Sequence, residues 1–215
     1  MIRAAIFDLD GVIVNTANAH FLSWDEALKE QGIKLTKYRY IKNMSGRRAL
    51  ENAKLTLGKL ANKKTVDTVI RKKTDIFFAS FDQRVVLVKG IKRFLDNLQK
   101  NKILTAIATS GRKKVQNLIF QKFKLTPFFS FIVTGDDVAS AKPNPQIFLD
   151  VAEKLNIPAA DCIVFEDSYS GVEAAKRAGM KVVLVMTSHS QKDIPNVDMA
   201  IKDFTKISLT DIKML

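Results

Sequence analysis

Residues 4–14 of the chain are AAIFDLDGVIV, an apolar run that is interrupted by Asp8 and Asp10. The apolar residues before Asp8 predict a short strand that is buried on both faces, as in parallel sheets covered by helices. In an extended chain, Asp8 and Asp10 point to the same side because successive side chains alternate. The stretch therefore predicts a first strand whose carboxyl end carries two carboxylates.

Further apolar runs follow along the chain, separated by segments of helical pattern. These runs are residues 103–109, 128–133, 162–165 and 182–186. Helices are predicted over 91–100 after Gly90, from Asn144 as N-cap with Pro145 at the first helical position, and over 169–178 before Gly179. This alternation predicts an α/β fold with a Rossmann-like core, in which helices cover both faces of a parallel sheet.

The segment 15–80 shows no strand pattern. Its apolar residues fall at helical spacing, as Phe21, Trp24 and Leu28 do. We therefore predict two domains: a core of residues 1–14 and 81–215, and an inserted α-helical cap domain of residues 15–80.

Composition excludes several classes of protein. The 215 residues carry 35 Lys+Arg and 22 Asp+Glu, a net charge of +13, but the basic residues are scattered in pairs and triples. Such scatter favours solvated faces and attraction of small anions over a nucleic-acid site. No apolar stretch approaches the roughly 18 residues of a spanning helix, and Asp8 and Asp10 interrupt any signal-like run. With the single Cys162, we expect a cytoplasmic monomer with no nucleic-acid or membrane partner.

Functional groups follow the predicted strands at the edge where open parallel sheets bind ligands. They are Asp8 and Asp10, Thr109 to Gly111, Lys142, and Glu166 with Asp167. Crowded carboxylates repel each other, and Mg²⁺, which prefers oxygen ligands and retained waters, would relieve the repulsion. A cation beside a hydroxyl and an ammonium suits a phosphoryl group. One carboxylate can attack that group to form an aspartyl-phosphate while a second moves the proton.

These residues resemble the haloacid dehalogenase-like phosphotransferase superfamily over essentially the whole chain. DLDG at 8–11, ATS at 108–110, Lys142 within AKPNPQIF and FEDS at 165–168 match its four motifs. The resemblance implies Asp8 as the nucleophile and Asp10 as the general acid/base. It implies Mg²⁺ held by Asp8, the Asp10 carbonyl, Asp167 and Glu166, and a phosphoryl group gripped by Thr109 and Lys142. It also implies a cap that closes over the substrate and excludes water.

Residues 15–24, NTANAHFLSW, resemble the β-phosphoglucomutase family. Thr16, His20 and Trp24 are spaced to share one helical face. The resemblance implies that His20 controls the general acid, so that a sugar phosphate is a better acceptor than water. Alternatively, His20 is only a packing residue. Asn15 and Gly111 depart from the family pattern, which has Asp and Ser at these positions.

The cap is also expected to supply cations for a distal phosphate of the substrate. Arg47 or Arg48 resembles the family's cap arginine, with the register ambiguous by one residue, and we choose Arg47. Lys73 matches a second cap position. Arg112 and Lys113, at the start of the helix after Ser110 and Gly111, could bind the phosphate through the helix N-terminus. The alternative for all these cations is plain surface charge.

The sequence therefore predicts a Mg²⁺-dependent phosphotransferase that acts on a small phosphorylated sugar. The reaction that fits best is conversion of β-glucose 1-phosphate to glucose 6-phosphate through a bisphosphate. The alternative enzyme is a phosphatase for a sugar phosphate or related monoester. A non-catalytic binding protein is disfavoured, because it would need neither a nucleophile nor a second acid two residues away.

Overall fold

The main sheet has six parallel strands in the order β5-β4-β1-β6-β7-β8. We describe it from a computed structural model of residues 1–215. The strands of the molecule are β1 Ala4–Phe7, β2 Val14–Asn15, β3 Val86–Leu87, β4 Leu104–Ala108, β5 Phe131–Val133, β6 Cys162–Glu166, β7 Lys181–Val185 and β8 Met199–Ile201. Because β1 lies between β4 and β6, the residues that follow these strands meet at one edge of the sheet.

Helices cover both faces of this sheet. The helices of the molecule are α1 Ala17–Lys29, α2 Lys37–Met44, α3 Ala49–Leu57, α4 Lys63–Ala79, α5 Phe81–Arg84, α6 Ile91–Lys100, α7 Lys113–Phe123, α8 Gln146–Leu155, α9 Tyr169–Arg177 and α10 Leu209–Lys213. Alternate residues of β1 belong to separate apolar clusters: Ala5 and Phe7 pack with α6 and α7, and Ala4 and Ile6 with α8 and α9. None of the helices is long and apolar enough to cross a membrane.

The predicted α/β fold with a helical cap is confirmed. One strand of the main sheet, β8, was missed, because its three half-buried residues at the sheet edge form too short an apolar run to predict. The two-residue strands β2 and β3 were not predicted either. The predicted strand at 128–133 is shorter, since Thr126–Phe128 forms a 3₁₀ turn. The predicted start of α8 was also wrong by one residue. Pro145 takes the N-cap position and the Asn144 side chain accepts a hydrogen bond from the Gln146 amide at 2.9 Å.

Helices α1 to α4 form the cap. They share an apolar cluster of their own, which includes Trp24, Leu28 and Tyr40 and is separate from the two clusters of the sheet. The chain passes from core to cap through β2 and returns through β3, and these two strands pair antiparallel. This two-stranded sheet therefore holds both connections side by side, and β2 lies a few residues after Asp8 and Asp10 in the chain.

Candidate active site

The carboxyl edge of the sheet forms the floor of a cavity of about 550 Å³. We define the cavity floor as Asp8, Asp10, Thr109 and Asp167, which follow or directly extend β1, β4 and β6. Gly11 has a φ of +86°, and a Cβ there would lie 1.9 Å from an Asp167 carboxylate oxygen. The turn after Asp10 therefore requires glycine, both for its backbone conformation and to admit Asp167.

Lys142 lies beneath the floor and is 2% exposed. Its ammonium donates to Asp8 Oδ1 at 2.7 Å, to Glu166 Oε1 at 2.7 Å and to the Ala108 carbonyl at 3.0 Å. Burial alone would lower the pKa of Lys142, but Asp8 and Glu166 outweigh it and hold that pKa above its usual range. All three ammonium protons are thus engaged, and Lys142 contacts the predicted nucleophile without lining the cavity.

Glu166 does not occupy the position expected of a metal ligand. Its Oε1 accepts from Lys142, and its Oε2 accepts from the Asp167 amide at 2.8 Å and from the Ser168 amide and hydroxyl at 2.9 Å each. Glu166 is also absent from the cavity lining. Both oxygens are occupied by donors, so Glu166 orients Lys142 and the start of α9 instead of facing the cavity.

The floor carries more negative charge than the side chains around it neutralise. Burial, opposed by Lys142 but assisted by Glu166 and Asp10, raises the pKa of Asp8 to about 7. Burial and the nearby carboxylates of Glu166 and Asp8 raise the pKa of Asp167 well above its ordinary value. Ionised carboxylates are therefore costly here unless a cation joins them.

The donor set fits Mg²⁺. No three His, Cys, Asp or Glu side chains are grouped so that they could hold a metal alone. Mg²⁺ is usually bound through one or two carboxylates and keeps several waters. Asp8 and Asp167, with the carbonyl of Asp10, meet that requirement.

Asp10 is tied to the cap by two side chains. Thr16, the N-cap residue of α1, donates to Asp10 Oδ1 at 2.6 Å, and His20 Nε2 lies 3.2 Å from the same oxygen. Burial alone would raise the pKa of Asp10, but its contacts with His20 and Thr16 outweigh burial, and the pKa lies below its ordinary value. Asp10 is therefore ionised in this arrangement, with Oδ2 left free of protein donors.

His20 connects Asp10 to Lys73. The Lys73 ammonium lies 3.0 Å from His20 Nδ1. Since an ammonium only donates and a carboxylate only accepts, Nδ1 must be the acceptor and Nε2–H the donor, which is neutral imidazole. Burial and the charge of Lys73 lower the pKa of His20, which agrees with this protonation state. The His20 ring also stacks on Phe77 with centroids 4.4 Å apart, so His20 both packs and hydrogen-bonds.

The cap supplies a further part of the cavity wall. We define the cavity ceiling as Trp24, Tyr40, Arg47, Arg48, Asn52 and Lys73, all on or beside α1 to α4. The predicted residues that line the cavity are Asp8, Asp10, Thr16, His20, Trp24, Arg47, Lys73, Thr109, Ser110, Gly111, Arg112 and Asp167. The predicted site residues Lys142 and Glu166 lie behind the wall.

The structure separates the two candidate arginines. Arg48 Nη2 donates to the Val138 carbonyl at 2.6 Å and Nη1 to the Ala139 carbonyl at 3.3 Å, so Arg48 joins the cap to the loop before Lys142. Arg47 lines the cavity and is exposed, and its guanidinium has no hydrogen-bond partner. Gly46, with a φ of +77°, would place a Cβ 2.4 Å from Ser168 Oγ, so the cap turn lies directly against the core.

One predicted cation faces the wrong way. Lys113 points into a different groove beside β5, and its neighbour Lys114 lines the active-site cavity instead. The sequence places both at the start of α7, and only the packed orientation of the helix distinguishes them.

Sequence reasoning also missed residues that complete the site. Ser188 hydrogen-bonds to Asp167 Oδ2, Thr187 donates to the Gly11 carbonyl at 2.6 Å, and His189 Nδ1 lies 3.0 Å from the Asp167 carbonyl. These three residues follow β7. The rule that functional residues lie just after the carboxyl ends of parallel strands could therefore have identified them. Tyr40 and Asn52 had no such signal, because their position depends on how the cap helices pack.

Residues 5–185 match the haloacid dehalogenase-like hydrolase family. The chain belongs to this family. The β-phosphoglucomutase of Bacillus subtilis is 33% identical over 187 residues, covering 84% of this chain and 82% of the relative. The phosphorylated carbohydrates phosphatase of Thermotoga maritima is 30% identical over 193 residues, covering 89% and 88%. The structure of a β-phosphoglucomutase from Clostridium difficile shares the fold, with a TM-score of 0.89 and 22% identity over 100% of this chain and 96% of that one.

This haloacid dehalogenase-like hydrolase is therefore an enzyme, a phosphatase or phosphotransferase that acts on phosphorylated compounds. Enzymes of the superfamily generally use Mg²⁺. Both sequence relatives act on phosphorylated carbohydrates, one as a mutase and one as a phosphatase. The family thus establishes phosphoryl chemistry, and the geometry of the site bears on which molecule accepts the phosphoryl group.

Proposed function

We propose that this enzyme is a β-phosphoglucomutase, which converts β-glucose 1-phosphate to glucose 6-phosphate through a bisphosphate. The observation that carries the proposal is the chain of contacts from Lys73 through His20 to Asp10. Through these contacts, the protonation state of Asp10 depends on His20 and Lys73, which belong to the cap. A general acid/base that is set by cap position can favour a bound sugar hydroxyl over water.

Asp8 is proposed as the nucleophile. Its carboxylate oxygen attacks phosphorus, the bond from phosphorus to the sugar oxygen breaks, and Asp10 passes to that leaving oxygen the proton that it takes from a sugar hydroxyl in the other half-reaction. In the second half-reaction a sugar hydroxyl attacks the phosphorus of the aspartyl-phosphate, Asp10 takes the hydroxyl proton and the bond to Asp8 breaks. Lys142 orients Asp8, and Thr109 lies beside it at the end of β4.

Asp8, the Asp10 carbonyl and Asp167 are proposed to hold Mg²⁺, which would neutralise charge on the transferring phosphoryl group. Glu166 and Ser188 both position Asp167. Glu166 Oε2 accepts a hydrogen bond from the Asp167 amide, and the Ser188 hydroxyl donates to the Asp167 carboxylate. Arg47, Lys73, Lys114 and Arg112 line the cavity as cations for a second phosphate. We further propose that residues 15–80 move as the cap and that the enzyme works as a monomer.

The second candidate is a phosphatase that hydrolyses a sugar phosphate. The Thermotoga maritima relative favours it, as does Gly111, whose missing side chain leaves space 3.6 Å from Asp10 Oδ2. In this reaction water replaces the sugar hydroxyl in the second half-reaction.

One assay separates the two candidates. Purified enzyme is incubated with Mg²⁺, β-glucose 1-phosphate and a trace of glucose 1,6-bisphosphate, and both glucose 6-phosphate and free phosphate are followed. A mutase forms glucose 6-phosphate with little free phosphate, and His20→Ala then shifts the products toward free phosphate. Release of phosphate without isomerisation establishes the phosphatase. If neither glucose 6-phosphate nor free phosphate forms, this sugar phosphate is not the substrate.

A further inference from the structure

Three consecutive residues after β7 contact Asp167 or the turn beside it. The Ser188 hydroxyl donates to Asp167 Oδ2, and His189 Nδ1 lies 3.0 Å from the Asp167 carbonyl. Because a carbonyl can only accept, Nδ1 carries the proton of that hydrogen bond. The Thr187 hydroxyl donates to the Gly11 carbonyl at 2.6 Å and lies 3.4 Å from Asp167 Oδ2. We call residues 187–189 the β7 loop.

A tight backbone turn brings the three side chains of the β7 loop to one side. In a strand, successive side chains alternate, so three neighbours could not all reach the same place. Here the Thr187 amide donates to the Val185 carbonyl at 2.8 Å, which closes a three-residue turn at the end of β7. His189 is buried, so the loop is anchored in the core. The loop therefore holds Asp167 by its main chain and by its carboxylate.

The two carboxylate oxygens of Asp167 have different surroundings. Oδ2 accepts from Ser188 and fills the space where a side chain at Gly11 would begin. Oδ1 accepts no hydrogen bond within the chain, yet it is not one of the unpartnered polar atoms that are sealed from solvent. Because Asp167 lines the cavity, Oδ1 is the oxygen that is open to it.

We propose that Ser188 is a specificity-determining residue for the metal ion and favours Mg²⁺ over Ca²⁺. By occupying Oδ2, its hydroxyl leaves Asp167 able to offer a cation one oxygen, Oδ1. Mg²⁺ requires a compact octahedral set of single oxygens, whereas Ca²⁺ takes about six to eight oxygens and accepts both oxygens of one carboxylate. The inference rests on the proposed function, because it takes Asp167 as a metal ligand.

The test measures the binding of two ions to matched variants. Ser188→Ala removes the hydroxyl, and Ser188→Thr keeps it. Ser190→Ala is the control, because the Ser190 hydroxyl bonds to Asp193 at 2.7 Å at the surface and makes no contact with Asp167. For each protein without substrate, the dissociation constants of Mg²⁺ and Ca²⁺ are measured by isothermal titration calorimetry. The concentration of Ca²⁺ that halves Mg²⁺-supported hydrolysis of p-nitrophenyl phosphate is measured as well.

Ser188→Ala is expected to shift the ratio of the two dissociation constants about tenfold toward Ca²⁺, because a charge-assisted hydrogen bond no longer reserves Oδ2. The inhibitory concentration of Ca²⁺ should fall by a similar factor. Ser188→Thr and Ser190→Ala should keep the wild-type ratio within about twofold. Asp167→Asn should weaken the binding of both ions by about tenfold or more, which locates the binding at this carboxylate.

A merely structural role for Ser188 would weaken the binding of both ions equally, and an unchanged ratio in Ser188→Ala would overturn the proposal. An equal shift in Ser190→Ala would overturn it too, as would unaltered ion binding in Asp167→Asn or no binding of either ion by the wild type. Failure of the proposed function looks different: the ion ratio would still depend on Ser188, but the wild type would form no glucose 6-phosphate.

Discussion

Directly beneath the cavity floor, the Lys142 ammonium lies 2.7 Å from a carboxylate oxygen of Asp8 and 2.7 Å from one of Glu166, and all three side chains are almost wholly buried. At the ceiling, Arg47 is exposed and unpaired, and Arg48 and Asn52 each keep an unused polar atom. The floor is preorganised before any ligand arrives, which is what stabilisation of a transition state requires. The ceiling keeps unpaired polar groups. The difference favours the proposal that the floor performs the chemistry and the ceiling selects the substrate.

The largest effect should come from the floor. Asp8→Asn removes the nucleophile and should lower kcat by roughly 10⁴-fold or more, measured by phosphate release or isomerisation. Asp161→Asn is the matched control, because this carboxylate lies at the opposite end of β6 and pairs with Arg3 at the surface. Retention of full turnover by Asp8→Asn would refute the aspartyl-phosphate.

Next in size is the loss of the buried cation. Lys142→Met leaves Asp8 and Glu166 without their partner, so the free energy of unfolding should fall by about 3–5 kcal/mol in urea titrations. Activity should fall by about 100-fold or more because Asp8 is no longer oriented. Lys142→Met combined with Glu166→Gln should recover part of the stability but no activity. If the double variant recovered no stability, the two residues would not act as a pair.

The ceiling should respond to pH. Burial, opposed by Asp10 and assisted by Arg112, lowers the pKa of Lys73 to about 8. Lys73 is therefore charged below about pH 8 and neutral above it. Phosphate esters are dianionic from about pH 7, so KM for the substrate should stay level up to pH 8 and then rise severalfold as the attraction is lost.

Lys73→Arg provides the control, since an arginine keeps its charge throughout this range. Its KM should show no rise between about pH 7 and about pH 9.5. If KM for the Lys73→Arg variant rose with pH as it does for the wild type, a group other than Lys73 would be responsible for the titration.

The smallest effect should separate two adjacent lysines. Lys114 lines the cavity and Lys113 faces the groove beside β5. Lys114→Ala should raise KM for a sugar phosphate about twofold to fivefold, while Lys113→Ala should leave it unchanged. Both variants lose the same charge, so the comparison measures position alone. Equal effects would mean that net charge, and not the cavity wall, attracts the substrate.

Much of the floor could be predicted from the sequence. Buried parallel strands are apolar runs, and the first polar residues after them must lie at one edge of the sheet, as Asp8, Thr109 and Asp167 do. The same reasoning places Glu166 at that edge, but it does not predict the direction in which the Glu166 carboxylate points. Its two oxygens are taken by Lys142 and by the start of α9, and such pairing depends on contacts between distant segments.

The ceiling could be predicted only in part. The spacing of Thr16, His20 and Trp24 indicates a shared face of α1, because helical periodicity is local. Lys113 and Lys114 differ by one position, which is about 100° around a helix. Arg47 and Arg48 are also adjacent, but they lie in the turn before α3, where no helical period applies. A choice between neighbours therefore needs the orientation of the element against the core.

The sequence alone determined the fold class, the carboxylates at the strand ends and the helical insertion, since these follow from backbone periodicity and strand direction. Only the tertiary structure decided which side chains face the cavity, which ones satisfy each other behind it, and that Arg48 and Asn52 keep free polar atoms. Those outcomes depend on packing between segments about 90 residues apart, such as Arg48 against Val138, and no local pattern in the chain encodes them.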